Sequence, residues 1–179
     1  AYLAATRAVR LANSSCQVFF GLARGSSIPF IGDLVFHSER ASFDSDALCD
    51  FHGQSRTFSV YYPKCRPGSD RYAIVSSTNA RWADWAHLDA AGYEREKEHL
   101  AAETLACLER YLPGVGAKIE HTEVATPRTF AFYTQAPLGT SFGINGMLMA
   151  SDLNFVRMVP GRPLHMIDIG LIQLAPGAD

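Results

Sequence analysis

One string in the chain has the form of a catalytic motif: Gly139-Thr140-Ser141-Phe142-Gly143 matches GxSxG. In an esterase that string makes a sharp strand-to-helix turn presenting a serine hydroxyl, with an acid and then a histidine further along the chain. Asp152 and His165 stand in that order. The preceding stretch, YTQAPL, contains Pro137 and does not read as a buried strand. The sequence also shows fewer strand–helix units than a hydrolase sheet needs. The string therefore reads as a glycine-rich backbone turn, with a serine hydrolase acting through Ser141 as a rival.

Other chemistry is harder to find. The nearest approach to GxGxxG, Gly114-Val115-Gly116-Ala117-Lys118-Ile119, lacks the third glycine and follows a helical pattern rather than a strand. It cannot make the strand–turn–helix that seats a pyrophosphate. No Walker loop is present. The histidines at 37, 52, 87, 99, 121 and 165 never form HxxxH or stand beside a cysteine pair, so no metal site is expected. Cys16, Cys49, Cys65 and Cys107 are widely spaced, without CxxC; two disulfides are formally open to them, but they read as isolated buried thiols of a reducing compartment.

The elements that must position these residues are clearer. A chain of 179 residues, 47% hydrophobic and 19% charged, suits one globular domain. A formal net charge of −2 argues against nucleic acid as a partner. The first fifteen residues, with two arginines and no sustained apolar run, do not read as a signal peptide, and no stretch is apolar enough to span a bilayer. The Asn13-Ser14-Ser15 sequon would matter only in a secreted protein.

Short β-prone runs are expected over 16–22 (CQVFFGL), 33–37 (DLVFH), 56–62 (RTFSVYY) and 71–77 (RYAIVSS). The third alternates Phe58, Val60 and Tyr62 with polar positions, as a half-buried strand does. The period then changes. From 93 to 112 no proline or glycine intervenes, and Leu100, Thr104, Leu105, Leu108, Tyr111 and Leu112 make one apolar stripe that Pro113-Gly114 ends. This predicts a helix over about 92–112. A weakly patterned strand over 118–125 follows. Thr126-Pro127 then opens a short helix over about 127–135, a hydroxyl cap with proline at the first helical position. The order implies an α+β fold: a mixed, largely antiparallel sheet backed by the long helix. A strand over 167–174 has no evident place. The paired aromatics, at Phe19-Phe20, Tyr61-Tyr62, Trp82/Trp85 and Phe130/Phe132/Tyr133, suit core packing and are equally compatible with a flat apolar ligand.

Three stretches together resemble the phytoene desaturase, carotenoid isomerase and retinol saturase branch of the flavin amine oxidase superfamily. They are NSSCQVFFGLA, YEREKEHLAAETLACLERYLPGVGAKI and EVATPRTFAFYTQAPLGTSFG, in that order, within 10–143. The resemblance implies that residues 1–143 are a substrate-binding domain segment of an FAD-dependent oxidoreductase acting on an apolar, carotenoid-, isoprenoid- or retinoid-like substrate. It places Thr126, Pro127, Arg128, Thr129 and Phe130 at a strand-to-helix junction. It further implies a substrate-channel or flavin-facing set made of Arg128, Phe130, Tyr133, Gly139, Ser141, Phe142 and Gly143. None of these is catalytic in the family; the chemistry belongs to the flavin.

The family's dinucleotide fingerprint and its second glycine-rich flavin stretch are missing, and residues 144–179 are an unassigned tail. FAD is thus expected on a part absent from this chain, and the chain alone is expected neither to hold FAD nor to be active. The expected partners are a flavin-binding domain or subunit and an apolar small molecule. An apolar face around residues 136–146 would meet the flavin part, making an oligomer or hetero-complex. A cytoplasmic location with peripheral membrane contact is expected, and a stand-alone lipid-binding module is the other rival.

Overall fold

The computed structural model describes residues 13–39, 49, 51–52, 55–65 and 70–141. They fall within one compact unit, Asn13–Gly143. The expectations that rest on Phe142, Gly143, Asp152, His165 and the strand at 167–174 lie outside the described residues, as does the tail.

Five strands form one sheet: β1 (Ser14–Leu22), β2 (Leu34–Ser38), β3 (Ser55–Tyr61), β4 (Ala73–Ala80) and β5 (Ile119–Ala125), in the order β2-β3-β4-β1-β5. Every neighbouring pair is antiparallel. The fold is α+β, as the pattern of periods implies. Among the described residues three helices accompany the sheet: α1 (Trp82–Ala86), α2 (Ala90–Glu109) and α3 (Pro127–Thr134). Among the described residues no helix is long and apolar enough to cross a membrane.

Period two puts Cys16, Val18, Phe20 and Leu22 of β1, Phe58 and Val60 of β3 and Ile74 of β4 on one face, all buried. Leu100 and Leu108 of α2 share that core with Leu112 and Val115 just beyond it. Trp85 of α1 is buried there too and meets Tyr93 edge-on at 5.9 Å. A five-residue helix is too short to show a period, so α1 is not legible in the sequence.

The long helix begins and ends about three residues before the span its apolar stripe suggests. At the front, the Asp89 carboxylate caps it by accepting from Gly92 N at 2.6 Å, so Gly92 lies in the first turn instead of outside it. At the back, Pro113 disfavours α geometry at the residue before it. Arg110 and Tyr111 then bond back only three residues, tightening the last turn. The Glu109 carboxylate folds over this end and accepts from Gly114 N at 2.6 Å and Gly116 N at 2.7 Å. The weak pattern of β5 has its reason in position: it is an edge strand, and Glu120, His121 and Glu123 lie exposed on it.

Candidate functional site

The TPRT segment forms the junction between β5 and α3. Thr126, fully buried, is the N-cap, and its N–H donates to Thr129 Oγ1 at 3.1 Å, one half of a capping box. Its own hydroxyl meets the Tyr93 hydroxyl at 2.8 Å, and Tyr93 also reaches Thr129 Oγ1 at 3.4 Å. Arg128 lies with its guanidinium 4.3 Å from the centre of the Tyr93 ring and donates to the Leu88 carbonyl at 3.2 Å. This cation–π stack fixes α3 to the first turn of α2. Phe130 is half-buried, whereas Phe132 and Tyr133 project outward at 70% and 78% exposure, edge to face at 5.0 Å.

Beyond α3 the chain reverses. Gln135 caps the helix at φ 56, and a 3-10 turn, Pro137–Gly139, puts Leu138 at φ 56 and Gly139 at φ 58. Gly139 packs so closely under α3 that a Cβ there would sit 2.0 Å from the Pro127 carbonyl oxygen. Ser14 Oγ donates to the Gly139 carbonyl, and Ser15 Oγ and Ser141 Oγ lie 2.9 Å apart. The predicted residues Arg128, Phe130, Tyr133, Gly139 and Ser141 thus gather around α3 and the loop clamped to the start of β1. Ser141 is entered from a 3-10 turn, not a strand, so the elbow that exposes a nucleophilic serine is not what precedes it.

The sheet face turned away from α2 supplies what motif reading missed. Register aligns Phe36, Thr57, Ser77 and Gln17 in one cross-strand row, Leu34, Ser59, Val75 and Phe19 in the next, and Tyr61, Ala73 and Gly21 in a third. No side chain in these three rows across β2, β3, β4 and β1 is charged. Ionisable side chains appear where two of the rows reach the β5 edge, at Glu123 and His121. Large apolar groups stand among small ones, and Phe36 is 74% exposed. The signal was present in each strand's alternation, but only the strand order assembles it.

Two of the three buried thiols, Cys16 and Cys107, offer no reactivity. Burial, with Asp84 adding to it, pushes the Cys16 thiol up to about 12, and burial likewise raises Cys107. The thiolate is the nucleophile, so both are inert at neutral pH. Arg56, buried across the sheet from His37, donates to Thr104 Oγ1 at 2.5 Å, and burial lowers its pKa.

The glycines after α2 do not fit a dinucleotide. They lie between a helix and a strand, the reverse of the required order, and the N–H groups of Gly114 and Gly116 are already taken by Glu109.

An α+β domain with an uncharged open sheet face and a tightly clamped α3 loop is the class these features define. No protein-family model matches the chain. A stretch of 86 residues is 35% identical to the chloroplastic prolycopene isomerase of Arabidopsis thaliana, covering 43% of this chain. The match spans only 14% of that protein's length. It agrees in part with the carotenoid-isomerase resemblance read from the sequence motifs.

Proposed function

We propose that this chain forms the apolar-substrate wall of an FAD-dependent oxidoreductase whose flavin is held by another domain or subunit. The observation that carries this reading is the three-row sheet face without a charged side chain. Such a face can lie against a long apolar molecule without desolvating an ion. Its small side chains, Ser59, Ser77, Ala73 and Gly21, leave a flat floor between Phe36, Leu34, Tyr61 and Phe19. The partial likeness to prolycopene isomerase supports a carotenoid-, isoprenoid- or retinoid-like occupant.

When bound, FAD would supply the redox or isomerising chemistry. The described residues of this chain would orient the substrate and exclude water. Exposed Phe132, Tyr133 and Leu138 would meet the flavin-holding part, while Arg128 fixes α3 beneath them.

Retinol fluorescence titration of the chain tests the wall. Saturable binding is expected, and Val75→Glu, placing a carboxylate in the central row, is expected to weaken it at least about tenfold. Equal binding by the variant, or none by the parent, refutes the assignment. A stand-alone lipid-binding module would use the same face. It is distinguished by retaining ligand through gel filtration with no flavoprotein present.

A further inference from the structure

We propose that His52, His99 and Glu103 form a binding site for a divalent transition cation of the zinc class. His99 and Glu103 stand one helical turn apart on α2, with His99 Nε2 3.3 Å from Glu103 Oε1. His52 arrives from the segment before β3, its ring edge-on to His99 at 5.8 Å between centres. One ligand atom from each of the three lies within 4.8 Å of the others. Tetrahedral zinc with bonds of about 2.0–2.1 Å needs its ligand atoms about 3.4 Å apart. The His99–Glu103 spacing already meets this, and a small rotation of the His52 ring brings in the third.

Two further observations favour a cation over a bare ion pair. Glu103 Oε2, the oxygen turned away from His99, is buried and accepts no hydrogen bond among the described residues, although the Arg56 charge acts on this carboxylate. His52 is also pre-positioned. Phe51 beside it packs on the buried Trp85 at 5.2 Å, and the His52 carbonyl accepts from Arg56 Nη2 at 3.4 Å. Two imidazoles and one carboxylate suit zinc, cobalt, nickel or copper, whereas magnesium and calcium prefer all-oxygen sets. Both histidines are exposed, which leaves the fourth position to water. Arg56 acts against the cation, because its charge already interacts with Glu103. The nearby Arg56 charge weakens the site, and its effect is to staple His52 to α2. The lack of HxxxH in the sequence does not bear on this set, whose third ligand comes from a distant loop.

The test is titration of the tag-free 179-residue chain with zinc chloride against a chromophoric chelator, and with cobalt(II) read by its visible absorption. One equivalent is expected to bind in the presence of millimolar magnesium. His52→Gln, His99→Gln and Glu103→Gln are each expected to weaken binding at least about tenfold. His121→Gln, on the β5 edge, is expected to leave it within about twofold. His99→Gln and Glu103→Gln also break the helix pair, so His52→Gln, checked for native circular dichroism, is the deciding variant. No saturable one-to-one binding, or binding unchanged in His52→Gln, overturns the proposal.

Discussion

Replacing Gly139 by alanine should damage this protein far more than one methyl group ordinarily does. Gly139 has φ 58, and an added Cβ would lie 2.0 Å from the Pro127 oxygen and 2.8 Å from its carbonyl carbon. Both atoms are backbone in the first turn of α3, so no side chain can swing aside. Left-handed geometry alone costs an alanine about 1–2 kcal/mol. Moving the loop away also loosens the Ser14 bond to the Gly139 carbonyl, a further ~1 kcal/mol. The sum is about 2–3 kcal/mol, or roughly 4–12 °C in Tm for a chain of this size. Gly114→Ala is the control: it has φ 77, but nothing lies within 4 Å of its Cβ position. Only the conformational cost applies there, about 1–2 kcal/mol. Thermal and urea unfolding of both variants decides the matter. If Gly139→Ala costs no more than Gly114→Ala, the clamp between α3 and the loop does not exist as described.

Tyr93→Phe keeps the ring under Arg128 but removes the hydroxyl that meets Thr126 and Thr129, and should cost about 1–2 kcal/mol in urea unfolding. Arg128→Ala in the Tyr93→Phe background should then show a separate loss, because the stack survives without the hydroxyl. The raised Cys16 thiol gives a pH dependence: below about pH 9 it is neutral in both folded and unfolded chains and adds no slope. Between about 9 and about 12 only the unfolded chain releases the proton, so stability falls by about 1.4 kcal/mol per pH unit from this group. Cys16→Ser should remove that increment from the alkaline unfolding curve, and an unchanged slope would refute it.

The legibility of the fold tracked how local each signal was. The helix α2 shows in the sequence because Leu100, Thr104 and Leu108 recur at helical spacing in a run free of proline and glycine, and β3 because Phe58 and Val60 alternate. The pairing of β1 with both β4 and β5 does not show, since it joins residues far apart in the chain. Thr126-Pro127 announced the start of α3, yet nothing local tells that Arg128 lies on Tyr93 or that Leu138 takes a positive φ. The uncharged face is the clearest case. Leu34, Ser59, Val75 and Phe19 come from four strands and become one row only through register.

The central claim, that this open face receives an apolar substrate, is tested most directly by photolabelling. A polyisoprenoid carrying a diazirine, irradiated with the protein and mapped by mass spectrometry, is predicted to modify β2, β3 and β4 at Leu34, Phe36, Tyr61 and Val75. Adducts confined to α2, or spread evenly over the surface, would contradict it.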